Sequence, residues 1–572
     1  MVQNYFTQFS FRGYIALITG LVVSLTTMVA NAQINYTRTT FTGAYVPITV
    51  GGGATQISTV GTGLGDFTTI GSIASGTEGA AHIPLPFDFT YNGVFFGGGS
   101  NFIGVTTNGY VYPTAGATNA TKIISAINTN LFTITTPNTT IAPYWDDLTI
   151  GTAVNGITGS VLHQTTGSPG SQVMTIQYTN VPAFSSGNVK ALNFQVKLYE
   201  GTNVIEFVYG PMTATGTVGG SYSISETASI GIEGGLGGNT NYIDAVTGSK
   251  TANMSMMTSN KFTTLMNFRF TPGAPVAVVG GTYNVGVGQT YPSLSEAVAD
   301  LNHRGIAGAV SLNLTDAVYD TTVAGGNNIF PIVMSNITGT SAINTITISR
   351  IGSHADLRYR GTDQGGIGNQ TGTATIGTTF EPMFCLVGTD WLTVNNVDFT
   401  YNGVQGTTAP YQTTNGKVDN SIGVINSSST DGATNNTFSN FVCTGDRTCT
   451  GGGQAIRHFA QTTPTSALGA NGGNTYRDFV IKNGTSGIII SGNATFPDIN
   501  NRIITSSCNT YNIIGDPAVA HDMSNPNASS TSPFGITMTN QSGFTVSNNK
   551  ITNMSNLNAT AFLIDAINIA LS

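Results

Sequence analysis

Charge is what this 572-residue chain has least of. Only 8% of its residues are Asp, Glu, Lys or Arg, against about 25% in ordinary globular domains. Its 19 basic side chains are scattered and outnumbered by 27 acidic ones, giving a net charge of −8. That balance argues against a nucleic-acid partner, which calls for a clustered basic surface. The four cysteines form no C-x-x-C pair and no Cys/His cluster, so neither zinc nor a redox centre is indicated. Beyond the first 32 residues no apolar run is long enough to span a bilayer. Low charge does not mean disorder here, because 40% of residues are hydrophobic.

What fills the sequence instead is Thr, Ser, Asn and 72 glycines. Thr suits strands, and Gly and Asn suit turns, so the composition predicts an all-β, turn-rich secreted protein. Residues 1–32 carry Arg12, an apolar stretch from Tyr14, and Ala30-Asn31-Ala32 before Gln33. This is the pattern of a cleaved signal peptide. It predicts a secreted or cell-surface product with no transmembrane segment in the mature chain.

Residues 33–272 read as short strands between turn clusters. The clearest hairpin is NFQVKLY–EGTN–VIEFVYG: Phe194, Val196 and Leu198 alternate with polar neighbours, and Ile205 and Phe207 resume the alternation after the turn. Half-buried antiparallel strands of this kind predict a β-sandwich. The Pro/Gly break TPGAPVAVVGG (271–281) marks a boundary. Ser293 and Glu296 then form a capping-box pattern ahead of Leu294, Ala297, Val298 and Leu301 at helical spacing, and Gly305 stops the helix. Residues 273–309 are thus a linker and a short helix.

From about 310 the sequence repeats itself. NTFSNFVC (436–443), NTYRDFVI (474–481) and NTYNIIGD (509–516) align, with looser copies VNNVDFTY (394–401) and SNNKITNM (547–554). Between them lie SIGVI (421–425), QAIRHF (454–459), SGIII (486–490) and FGITM (534–538). Repeats of this period signal a stacked architecture in which neighbours bury each other's apolar faces. Strand-like content favours a β-solenoid, with the asparagines at turns, where they tolerate left-handed φ.

The stretch YPSLSEAVADLNHRGIAGAVSLNLTDAVY resembles the N-terminal cap of right-handed parallel β-helices of the pectin-lyase-like class. The FDFTYNGVFF, VTTNGYVY, IAPYWDDL and VKLYEGTNVIEFVYG segments resemble nidogen-like β-domains. The pairing behind a signal peptide is similar to large secreted surface proteins of Bacteroidota, which commonly end in a type IX secretion sorting domain. The resemblance implies an N-terminal β-sandwich followed by a parallel β-helix over 310–572. The closing FLIDAINIALS (562–572) reads as an unfinished rung, so a longer reading frame is expected.

Candidates for chemistry are few. Asp146–Asp147 is the only adjacent acidic pair. In an extended strand the two side chains would point to opposite faces, which fits a structural corner, with Ile141 and Trp145 packed into the sandwich. The competing assignment is a calcium site. Asp446 and His458 flank a glycine-rich turn, and Asp516, His521 and Asp522 share the loop GDPAVAHDMSNP. Histidine beside carboxylates can act as acid or base, although nearness in sequence says little about geometry. The basic residues of 390–572 are Lys417, Arg447, Arg457, Arg477, Lys482, Arg502 and Lys550. The polygalacturonase set (N-x-D, D-D, G-H-G, R-x-K along successive rungs) is not assembled there, and the pectate-lyase R-x-P-x-x-R is absent. Cys443 and Cys449 could close a small disulfide loop, whereas Cys385 and Cys508 read as core residues. The glycine runs 61–66, 97–100 and 234–238 open no helix after a strand and read as turns rather than phosphate cradles.

These features predict a non-enzymatic, adhesin-like scaffold without a cofactor, contacting polysaccharide or cell-surface and matrix components. The alternative is a polysaccharide lyase or glycoside hydrolase acting in a β-helix groove.

Overall fold

The computed structural model describes residues 34–58, 67–69, 79–114, 139–150, 158–182, 189–211, 213–215, 228–234, 242–248, 267–273, 276–320, 328, 330–360, 382–402, 420–445, 454–484, 486–519, 522–524, 534–555 and 565–570. Residues 1–32, where the sequence predicts a signal peptide, lie outside them. The described chain is mostly β, and two kinds of sheet divide it.

The first kind is antiparallel and runs from the strand Tyr36–Phe41 to the strand Asn267–Pro272. An eight-stranded and a seven-stranded sheet face each other over one apolar core. Tyr144 from the seven-stranded sheet stacks on Phe194 from the other, with ring centroids 5.8 Å apart, and Tyr178 stacks on Phe194 at 4.5 Å. The expected hairpin is present: Phe194, Val196 and Leu198 pair with Tyr209, Phe207 and Ile205. Its turn uses left-handed Gly201 and Asn203, with φ of 71° and 54°. Alternation predicted an exposed outer face at Gln195, yet that residue is buried. The segment around Val46–Ile48 lies over it: Gln195 Nε2 donates to the Val46 carbonyl, and Gln177 Nε2 donates to that of Ile48.

The strand Ile141–Trp145 departs from simple alternation. Its pairing with Ser229–Glu233 contains a bulge, with Trp145 opposite Ser229 and Ala142 opposite Gly231. The bulge flips the pleat. Ile141 and Tyr144 therefore enter the sandwich core, while Trp145 is buried on the opposite face with Tyr110, Tyr112, Ala142 and Tyr242. The expectation that Ile141 and Trp145 share the sandwich core is corrected by this one-residue slip.

The second kind of sheet is parallel and begins with Val278–Val285. Each passage of the chain lays strands on a curled thirteen-stranded sheet and then one on a seven-stranded sheet. Thr437–Thr444 stacks on Thr475–Lys482, and Gln454–Phe459 stacks on Ser486–Ser491. The second set of predicted strands is aligned in register: Ile422, Ile456, Ile488 and Ile536 form one inward column, and Val424, His458, Ile490 and Met538 form the next. The core between the sheets includes Phe399, Phe441 and Phe479, with Phe441 and Phe479 stacked at 5.3 Å.

Asparagine holds successive passages together more directly than turn preference suggests. Asn436 Oδ1 accepts the Leu392 N–H at 3.0 Å, Asn474 Oδ1 accepts the Asn436 N–H at 3.1 Å, and Asn501 Oδ1 accepts the Asn474 N–H at 2.9 Å. All three are buried. Left-handed asparagines do occur beside them, as at Asn435 and Asn440, with φ of 58° and 51°. The third repeat copy is misaligned by the sequence. Tyr476 pairs with Ile503 rather than Tyr511, while Val480 pairs with Ile513. Residues 505–511 are extra chain within that passage, so Asn509 and Tyr511 are exposed and Asn501 takes the ladder position.

The predicted helix spans Leu294–Arg304. Ser293 Oγ accepts the Glu296 N–H at 3.1 Å, and Gly305 ends the helix with φ of 69°. Leu294, Ala297, Val298 and Leu301 enter the core of the parallel stack. Among the described residues no helix is long and apolar enough to cross a membrane.

Candidate functional site

Among the described residues the candidates read from sequence form no single site: His458, the Asp516–Asp522 loop and Asp146–Asp147 each have their own partners. Asp446 and His521 lie outside the described residues, as does Cys449. His458 belongs to the inward column of the stack and is fully buried. Its Nε2 is 3.2 Å from Asp498 Oδ2 and 3.1 Å from the Asn471 carbonyl, and its Nδ1 is 3.2 Å from the Tyr476 hydroxyl. Asp498 also accepts the Asn471 N–H at 2.8 Å and the Gln541 amide at 3.2 Å. This Tyr–His–Asp chain has the connectivity of a proton relay, but no member is open to a substrate. Its work is to satisfy polar groups inside the stack.

Asp516 and Asp522 shape their own loop. Asp522 Oδ2 accepts the N–H groups of Asn483 and Asp516 at 3.0 and 2.7 Å, and Asp516 Oδ1 accepts the Ala518 N–H at 2.9 Å. Asp146 Oδ1 accepts the Asp147 N–H at 2.9 Å, and the turn is held to Asn108 through the Asp146 and Leu148 N–H groups. Partial burial raises the Asp147 carboxyl above its usual range. Among the described residues no group of three or more His, Cys, Asp or Glu is placed to hold a metal ion. Cys443 is a free thiol facing the core, and burial pushes it up. Cys385 is buried as expected, whereas Cys508 is exposed because it sits in the extra segment 505–511.

A different group does converge. In the strand Ala355–Arg360, Leu357 and Tyr359 point into the core, which turns Asp356 and Arg358 outward. The neighbouring strand Val397–Asn402 pairs in register, so Asp398 lies beside Asp356 and Thr400 beside Arg358. His354 completes the group: its Nδ1 is 2.7 Å from Asp398 Oδ1, which also accepts the Val442 N–H at 2.8 Å. Arg358 donates to Asp356 Oδ2 through Nε at 2.9 Å and Nη2 at 2.5 Å. Arg350 Nη1 reaches the His354 carbonyl at 3.0 Å. The His354 side chain is 42% exposed and that of Arg358 30%. One face of two adjacent strands therefore presents a guanidinium fork, an imidazole and two carboxylates, with Asp356 paired to Arg358 and Asp398 hydrogen-bonded to His354 and the Val442 N–H. Such a patch offers fixed donors and acceptors to polar, uncharged ligands.

The basic residues of 390–572 do not reveal this patch, since His354 and Arg358 precede them. The legible signal was the shared alternation of HADLRY and VDFTY, with an Asp ahead of a core residue in each. On the rungs that follow, the same column carries Val442, Val480 and Ile513 before it reaches Lys550, so three apolar positions separate the patch from the next charge.

Residues 35–273 match the family described as NIDO related. The match spans the whole antiparallel unit, from its first strand to its last. Neither the curated proteins nor the solved structures give a match to the chain. The NIDO-related unit holds the Asp146–Asp147 corner, and the parallel stack holds the His354–Asp398 patch.

Proposed function

We propose that the chain is a secreted or cell-surface scaffold of adhesin type, without catalytic activity, that contacts neutral glycans or other surface and matrix proteins. In this proposal the NIDO-related sandwich leads into a right-handed parallel β-helix capped by the helix Leu294–Arg304. The product is a Bacteroidota-type cargo of type IX secretion, released by cleavage after Ala32. The observation that carries the proposal is the engagement of its chemically capable side chains. Among the described residues His458, Asp498, Asp516 and Asp522 each serve the fold, and the convergent surface group pairs Asp356 with Arg358 and Asp398 with His354. Low overall charge limits long-range steering, so recognition is by close contact. Retention of purified 33–572 on a panel of immobilised polysaccharides and matrix proteins tests this. His354→Ala and Asp398→Asn should each weaken retention, and unchanged retention in both would remove the patch from the proposal.

One observation favours the alternative of a glycoside hydrolase or polysaccharide lyase. Asp356 and Asp398 sit side by side on one face, on strands about 4.8 Å apart, and retaining glycosidases use two carboxyl groups about 5 Å apart. Their occupancy by Arg358, His354 and a backbone N–H weighs against it. Release of new reducing ends that Asp356→Asn abolishes would establish this alternative instead.

A further inference from the structure

The helix Leu294–Arg304 is buried on two sides, not one. Its apolar face closes the core of the parallel stack, while Glu296, Ala299, Asn302 and His303 are also buried. Those residues meet the NIDO-related unit. Arg38, on the first strand of that unit, reaches across to Glu296 Oε1 at 3.3 Å, with side-chain exposures of 2% and 8%. Thr40 Oγ1 donates to Glu296 Oε2 at 2.9 Å. The Arg38 backbone N–H donates to His303 Nε2 at 2.9 Å. The rest of the guanidinium is held from its own side: Nε donates to the Ala245 carbonyl at 2.5 Å, and the group lies 5.2 Å from the Phe268 ring centroid.

Asn302 ties both units at once. Its Nδ2 donates to the Thr247 carbonyl in the NIDO-related unit at 2.9 Å and to the Val333 carbonyl in the stack at 2.7 Å, and its Oδ1 accepts the Ser335 N–H at 2.9 Å. The turn at 244–248 is shaped for this approach by Asp244 Oδ1, which accepts the N–H groups of Val246 and Thr247. Gly248 comes so close to the helix backbone that a Cβ there would lie 2.0 Å from the Ala299 carbonyl oxygen. Glu296 was expected to fold back on its own helix in a capping box. It points away across the junction instead.

We propose that this junction is a latch that makes the NIDO-related unit and the parallel stack one rigid, cooperatively unfolding body, with Arg38–Glu296 fixing their relative orientation. Linked domains ordinarily move against each other unless the interface is large and apolar. A buried ion pair adds little net stability over an apolar replacement, but losing one partner leaves an uncompensated charge. Such a pair is therefore suited to specifying one docking geometry. The helix thus has two roles, closing the stack's core and supplying a socket for the sandwich. This inference does not depend on any ligand.

Calorimetry and small-angle scattering on the full mature chain test it. The wild type should melt in a single transition and scatter as one elongated particle. Arg38→Met and Glu296→Gln should each lower the melting temperature of the NIDO-related unit by roughly 10 °C, splitting the transition and broadening the distance distribution. The double variant Arg38→Met/Glu296→Leu should recover much of the loss, since neither charge is then left alone. Two well-separated transitions in the wild type would overturn the proposal, and so would single variants with unchanged melting and scattering. Should the single variants fail to fold, the wild-type transition and the double variant still decide.

Discussion

Replacing Asn474 by alanine tests the asparagine ladder directly. Asn474 Oδ1 accepts the Asn436 N–H at 3.1 Å, and its Nδ2 donates to the Ala433 carbonyl at 2.9 Å. Both bonds lie inside the stack, and Asn474 is 1% exposed. The Asn436 side chain keeps its bond to the Thr389 carbonyl at 2.8 Å, so two backbone groups lose these partners. An orphaned buried donor or acceptor costs about 1–3 kcal/mol, giving a loss of about 2–6 kcal/mol for the pair. At a few degrees per kcal/mol in domains of this size, the melting temperature should fall by roughly 5–20 °C. Asn509→Ala is the matched control. It occupies the same place in the sequence repeat but is exposed, and should change stability by less than about 0.5 kcal/mol. Thermal and urea unfolding followed by circular dichroism measure both. Equal shifts for the two variants would refute the ladder as the element that joins the passages.

Other expectations follow from burial. Burial pushes the Glu233 carboxyl up to about 9 from 4.5. The native state then holds a proton that the unfolded chain has released, so this contribution is full below about pH 4.5 and is lost as the pH rises toward 9. Glu233→Gln should stabilise the NIDO-related unit at pH 7 by up to roughly 3 kcal/mol and flatten its stability between pH 5 and 9, both read from urea titrations. Burial raises the Cys385 and Cys443 thiols, so of the three described cysteines only Cys508 should react with a thiol reagent before unfolding. Mass mapping of the labelled sites checks this. His458→Leu removes a donor from buried Asp498 and should cost about 3–5 kcal/mol in the stack; a melting curve like that of the wild type would show that Asn471 and Gln541 suffice.

Much of the fold was legible because period-2 alternation survives wherever one face of a strand is buried. The hairpin at 194–209, the strands at 421–425, 454–459, 486–490 and 534–538, and the capped helix all stand where the pattern placed them. The failures have local causes. The bulge opposite Ser229 sends Trp145 to the other face, and no residue preference announces it. The segment 505–511 carries an Asn-Thr-Tyr resembling the repeat, so a pattern search aligns Tyr511 where Ile503 belongs. His458 looked like chemistry because a polar residue in an apolar strand draws attention, yet Asp498 and Tyr476, distant in sequence, make it a satisfied core residue. The His354–Asp398 patch was hidden for the opposite reason. Its members are 44 residues apart and meet only through strand register.

The most direct measurement applies purified 33–572 to neutral and acidic polysaccharides, following retention together with new reducing ends and unsaturated uronates, with calcium and with chelator. A scaffold of this kind should be retained on one or more neutral glycans, less so with Asp398→Asn, and should form no product under either condition. Turnover of any substrate would contradict it and shift the assignment to the Asp356–Asp398 face.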